Sequence, residues 1–102
     1  VYNHVGPGAE ALEAFGPYFT DRYGTPWGRA MNFDDADCGG ARGWAIQNAC
    51  MWLRDYRIDG LRVDAVHAIY DMSARHVLAE LCERARAAAP WTPVLIAESD
   101  LN

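Results

Sequence analysis

Two short runs, Gly60-Leu61-Arg62-Val63-Asp64 and Val94-Leu95-Ile96-Ala97-Glu98, flank a stretch of helical periodicity, and this order constrains the fold more than any other feature. In the first run Leu61, Val63 and Ala65 alternate with Arg62 and Asp64, the period-two pattern of a strand with one charged face. The second is continuously apolar, as expected of a strand buried on both faces. Between them Leu78, Leu81, Cys82 and Ala85 keep helical spacing over about Ser73 to Ala88, with Asp71 or Ser73 as the expected N-cap. Pro90 and Pro93 close that segment. A helix joining two neighbouring strands carries the chain back to the starting edge, so the strands are expected to run parallel with a right-handed crossover. The design repeats upstream. Ile46, Ala49, Cys50 and Leu53 mark a helix over about Ala41 to Tyr56, and Val1-Tyr2-Asn3-His4 reads as the end of an earlier strand, stopped by Gly6-Pro7-Gly8. The expected class is α/β.

Parallel strands share one rim at their C-terminal ends, and here each end is polar: Asn3 and His4, then Asp64 and His67, then Glu98 and Asp100. In a (β/α)8 barrel that rim is where catalysis occurs. Arg62 and Asp64 project from the same side, roughly 6 to 7 Å apart along the strand. A cation there favours the ionised carboxylate. Alone, this pair is an ordinary Asp–Arg contact, and a single His such as His4 is more often structural than a ligand. Three consecutive strands that deliver His, Asp and Glu to one rim shift the balance toward chemistry.

Two carboxylates facing each other across adjacent strands suit glycosidic cleavage. Asp64 is expected to attack the anomeric carbon, and Glu98, in a more apolar setting after Ile96-Ala97, to protonate the leaving oxygen. A gap of about 5 to 5.5 Å between them implies retention through a covalent intermediate, and a wider one inversion. A metal hydrolase built on His4, His67, Asp64 and Glu98 is the competing scheme. It lacks a compact ligand pair, and Arg62 opposes a cation beside Asp64. Neither a metal nor a cofactor is therefore expected. A nucleotide-binding fold shares the strand–helix order, but no Gly-x-Gly-x-x-Gly follows any strand.

Residues 5 to 37 show no sustained period beyond a short helix over Ala9 to Phe15. Phe15, Tyr18, Phe19, Tyr23, Trp27 and Phe33 crowd into this third of the chain. A long connection of this kind is uncommon unless it has a task. Exposed aromatic faces suit stacking on sugar rings, while most of the six are expected to form the loop's own small core. Asp34, Asp35 and Asp37 fail the spacing of a calcium loop, since Ala36, Cys38 and Ala45 stand at the ligand positions counted from Asp34. They are expected to cap the helix that follows. A net charge of −5 and a pI near 4.9 argue against a nucleic-acid partner. No apolar run approaches the roughly 18 residues of a membrane span, so no membrane partner is expected. Cys38, Cys50 and Cys82 form no Cys-x-x-Cys and read as free thiols, those at 50 and 82 buried, in a reducing, cytoplasmic compartment.

Val1-Tyr2-Asn3-His4, Gly60-Leu61-Arg62-Val63-Asp64 and Ile96-Ala97-Glu98 resemble three successive signature segments of the alpha-amylase family of glycoside hydrolases. The resemblance implies part of a (β/α)8 TIM barrel over residues 1–102, about the third to fifth strands with their helices and a long loop after the third strand. It implies Asp64 as nucleophile, Glu98 as general acid/base and Arg62 as the partner that orients the nucleophile. His4 then contacts the sugar at the cleavage subsite, and His67 lines the leaving-group side where many relatives carry a Lys. Trp27 and Asp100 complete the substrate-binding candidates. Within the family, Phe15-Gly16-Pro17-Tyr18-Phe19-Thr20, Thr25-Pro26-Trp27-Gly28, Asn32-Phe33-Asp34 and Asp64-Ala65-Val66-His67-Ala68-Ile69 are similar to members acting on malto-oligosyltrehalose. Those hydrolyse the α-1,4 bond next to the terminal trehalose of this α-glucan and release trehalose. Asp37-Cys38-Gly39-Gly40 departs from the usual sequence before the helix. Branching or debranching enzymes of the same family, and a carbohydrate-binding relative without catalysis, are the alternatives. Retention of Asp64, Glu98 and Arg62 together disfavours the last. The family's further catalytic Asp is expected beyond Asn102, so the 102 residues read as an internal piece, inactive alone and marginal or self-associating through open sheet edges.

Overall fold

The computed structural model describes residues 2–101. It has a 3-10 helix (Ala9–Phe15), strands β1 (Phe19–Thr25) and β2 (Gly28–Met31), helix α1 (Gly39–Arg54), strand β3 (Gly60–Val63), a 3-10 turn (Val66–Ala68), helix α2 (Val77–Ala88) and strand β4 (Val94–Ala97). The chain is α/β. As expected, β3 and β4 pair in parallel, with Gly60 opposite Val94 and Val63 opposite Ala97, and α2 forms the connection. The close approach of the two strands explains Gly60: a Cβ there would stand 2.1 Å from the Val94 carbonyl oxygen.

Both apolar stripes lie on helices, with bounds that differ from the expected ones at the start of α2 above all. Helix α1 buries Ala41, Ala45, Ile46, Ala49 and Leu53 along one stripe, and α2 buries Val77, Leu81 and Ala85. These stripes meet Tyr2, Met31, Phe33, Val63 and Ile69 in one core. Leu53 and Leu81 are fully buried, each worth about 1.5–3 kcal/mol of transfer free energy. Helix α1 ends at Arg54, and Arg57, with φ 57°, turns the chain toward β3.

Several expectations about the elements need correction. The segment after residue 5 is not an unpatterned loop, because β1 and β2 form an antiparallel hairpin around Pro26-Trp27. The ladder jumps between Thr20 and Gly24, which erases the alternation a strand would show in sequence. Helix α2 starts at Val77 rather than Ser73, with His76 as N-cap accepting from the Leu78 N–H. The preceding groups are engaged elsewhere: Asp71 accepts from the Ser73 N–H and hydroxyl, and Arg42 donates to the Arg75 carbonyl. Asp34, Asp35 and Asp37 do not cap α1, whose N-cap is Cys38 with no side-chain bond. Asp34 instead accepts from the Tyr23 hydroxyl and the Met72 N–H, and Asp35 from the Thr20 hydroxyl, so the two carboxylates bind the hairpin to the rest of the chain. Strand β4 is not covered on both faces: Val94 and Ile96, two positions apart and so on one face, are 59% and 53% exposed, because no described element packs over that face. Finally, Tyr2–His4 lie outside any strand, lacking a ladder partner, and Val1 falls outside the described residues.

Cys38, Cys50 and Cys82 are free, each partly rather than fully buried. Among the described residues no helix is long and apolar enough to cross a membrane.

Candidate active site

The parallel pairing of β3 with β4 sets the site. Arg62 lies on β3, Asp64 one residue past its end, and Glu98 one residue past the end of β4. The register Val63↔Ala97 therefore makes Asp64 and Glu98 neighbours on the rim. The Arg62 guanidinium joins them: Nη1 is 2.8 Å from Asp64 Oδ1 and Nη2 3.5 Å from Glu98 Oε2. Side-chain exposures of 56%, 45% and 30% for Arg62, Asp64 and Glu98 leave all three open to a ligand arriving from solvent.

The backbone behind the carboxylates is tightly held. Glu98 donates its N–H to the Val63 carbonyl and accepts at its own carbonyl from the Val66 N–H, both at 2.9 Å. Its carboxylate accepts from the Ala65 N–H at 2.9 Å. The setting of Glu98 is thus polar, not the apolar one expected from Ile96-Ala97, because the chain turns back at Ala65 and presents its N–H. Asn3, fully buried, donates from Nδ2 to the Asp64 carbonyl at 2.7 Å and reaches Asp64 Oδ2 at 3.5 Å. The Arg62 guanidinium foremost, and the Asn3 amide, hold the Asp64 carboxyl below its ordinary value of 3.8, against the partial burial that pushes it up.

His4 and Trp27 belong to the same neighbourhood. The His4 ring stacks on the Trp27 indole, centroids 4.7 Å apart and planes 14° from parallel, and its Nδ1 contacts Asn3 Oδ1. The hairpin supplies Trp27 at its turn, with the indole half-exposed. Both rings line a cavity of about 170 Å³ with Phe19, Arg29, Glu10 and Glu13. His67 and Asp100 pair with each other, Nε2 to Oδ1 at 3.1 Å, and Ser99 Oγ stands 3.2 Å from His67 Nδ1. The chain thus gathers Arg62, Asp64 and Glu98, links His4 and Trp27 to them through Asn3, and sets His67 with Asp100 beside Ser99, which follows Glu98. Sequence reasoning noticed Asn3 at a strand exit without giving it a task, and it missed Ser99. Adjacency to His4 and to Glu98 was the available signal.

Chemically, one ionised carboxylate anchored by a guanidinium beside a second carboxyl can supply a nucleophile and a proton donor on one open rim. No protein-family model matches the chain. Curated relatives do, from end to end. The malto-oligosyltrehalose trehalohydrolase of Saccharolobus solfataricus is 43% identical over 102 residues, all of this chain and 18% of that protein. Proteins of the same name from other sources match at 36% to 48% identity. A 1,4-alpha-glucan branching enzyme of a Shewanella strain is 48% identical over 33 residues, 32% of this chain and 4% of that protein. Among solved structures, a Salmonella typhimurium protein assigned as an alpha amylase superposes with a TM-score of 0.82 at 37% identity, over 99% of this chain and 17% of that one. The chain spans less than a fifth of the length of these relatives. Along all of its residues the chain is thus similar to one stretch of proteins of a single name, the malto-oligosyltrehalose trehalohydrolases, and to one stretch of a solved alpha amylase.

Proposed function

We propose that these residues form part of the catalytic (β/α)8 barrel of a retaining glycosidase, β3 and β4 being about its fourth and fifth strands. The enzyme cleaves the α-1,4 bond next to the terminal trehalose of malto-oligosyltrehalose and releases trehalose. Asp64 attacks the anomeric carbon and Glu98 protonates the leaving oxygen, then activates the water that hydrolyses the glycosyl-enzyme. Arg62 keeps the nucleophile charged and aimed. His4 and Trp27 line the sugar subsite at the point of cleavage, and His67 with Asp100 flanks the leaving trehalose. The observation that carries this reading is the single guanidinium in contact with both carboxylates.

The full-chain match to trehalohydrolases favours this substrate over a branching reaction, which has support along about a third of the chain. The three free thiols support a cytoplasmic setting. The test is trehalose release from malto-oligosyltrehalose by the full-length protein, against its Asp64→Asn variant. The expected result is release by the wild type and loss of it in the variant. Undiminished release by Asp64→Asn overturns the assignment, and glucan branching without trehalose release favours the alternative. The 102 residues alone, less than a fifth of such an enzyme, are expected to release none.

A further inference from the structure

Ala65, the residue after Asp64, adopts φ 47° and ψ 50°, a left-handed conformation that a non-glycine residue enters only when its surroundings enforce it. Two contacts do so, and both fall on the one peptide unit joining Asp64 to Ala65. Its carbonyl accepts from Asn3 Nδ2 at 2.7 Å, and its N–H donates to Glu98 Oε2 at 2.9 Å. A peptide plane gripped at both ends cannot rotate, and the direction of the Asp64 side chain follows from that plane. Asn3 is itself fully buried, with Oδ1 turned to His4 Nδ1, so its amide has one orientation available.

Resting on the reading of Asp64 as the nucleophile, we propose that Asn3 is a positioning residue, which together with the Glu98 carboxylate clamps the Asp64–Ala65 peptide and so fixes the attack direction of Asp64. The clamp also ties the two carboxylates together through a backbone unit, independently of Arg62. Loss of Asn3 frees the carbonyl end and lets Ala65 relax toward ordinary φ values. Asp64 then misaligns, while the His4 ring loses its Asn3 contact but keeps its stacking on Trp27.

The experiment compares wild type, Asn3→Ala and Asn3→Ser in the full-length protein, with malto-oligosyltrehalose as substrate. In Asn3→Ala, kcat is expected to fall about 10- to 100-fold with KM within about twofold, as for a reacting group displaced by an ångström. The acid limb of kcat/KM is expected to move to higher pH, because Asp64 loses a donor to its charged form. Asn3→Ser, which keeps a donor, is expected to recover part of both. If Asn3→Ala does not fold, Asn3→Ser carries the comparison, with an intermediate kcat and acid limb expected. Wild-type kcat and acid limb in the folded variants overturn the positioning role. An Asp64→Asn control that stays fully active overturns the nucleophile assignment instead. Independently of turnover, the carbon-13 carboxyl titration of Asp64 is expected to move up in Asn3→Ala. An unmoved midpoint overturns the clamp.

Discussion

Arg62 and Asp64, two positions apart across the end of β3, form an ion pair with Nη1 2.8 Å from Oδ1. Both side chains are about half exposed, so solvent screens the pair and it adds little to stability. Its consequence is electrostatic. Asp64 is held below its ordinary value, so it remains ionised throughout the neutral range and well into acid.

Arg62→Met is expected to raise the Asp64 midpoint and to move the acid limb of activity upward with it. The sign follows from the depressed value: Asp64's share of stability is present above its unfolded-state pKa and is lost as pH falls through the folded one. Carboxyl NMR titration of wild type and variant checks this, and equal midpoints would reject Arg62 as the cause.

Asp71→Ala is expected to destabilise the protein by about 3 kcal/mol, since it removes the nearer of two carboxylates paired with the mostly buried Arg42 guanidinium, Glu80 remaining, and takes the acceptor from the Ser73 and Val77 N–H groups. Burial alone pushes Asp71 up, but bonds from the Ser73 hydroxyl and N–H, Arg42 and the Val77 N–H outweigh it and hold the carboxyl low. Wild-type stability should accordingly fall as pH drops below about 4, the ordinary carboxylate range. Urea melts from pH 7 to pH 3 measure both effects, and a flat profile contradicts the assignment.

Gly60→Ala is expected to cost about 1–3 kcal/mol, an overpacking penalty, because the new Cβ would collide with the Val94 backbone. The β3–β4 register and the carboxylate pair depend on that approach. Activity should fall with stability, and an unchanged thermal midpoint would show that the strands can part without cost.

Trp27→Ala removes the ring on which His4 stacks. KM for malto-oligosyltrehalose is expected to rise about tenfold, equivalent to about 1.4 kcal/mol, with a smaller change in kcat. Steady-state kinetics separate the two, and a large fall in kcat at constant KM would assign Trp27 to the chemistry instead.

The periodic elements were legible in the sequence. Helices α1 and α2 carry complete apolar stripes, and β3 and β4 stand on either side of a connecting helix, an order that forces parallel pairing and brings residues 64 and 98 to one rim. Local chemistry of this kind is written in spacing and needs no partner to be read. The hairpin was not legible, because its ladder slips between Thr20 and Gly24 and the alternation is lost. Nor were the tasks of Asp34 and Asp35, whose partners Tyr23, Met72 and Thr20 come from other elements. Asn3 is the clearest case. It is 61 residues from Asp64 in the chain, and only packing brings its amide to the carbonyl behind that carboxylate. The sequence by itself determined the two helices, β3 and β4, and the charged ends of those strands, through periodicity and side-chain chemistry. Tertiary structure decided which donor meets which acceptor, because hydrogen bonds act over about 3 Å, and spacing along a chain does not specify distances that short between remote residues.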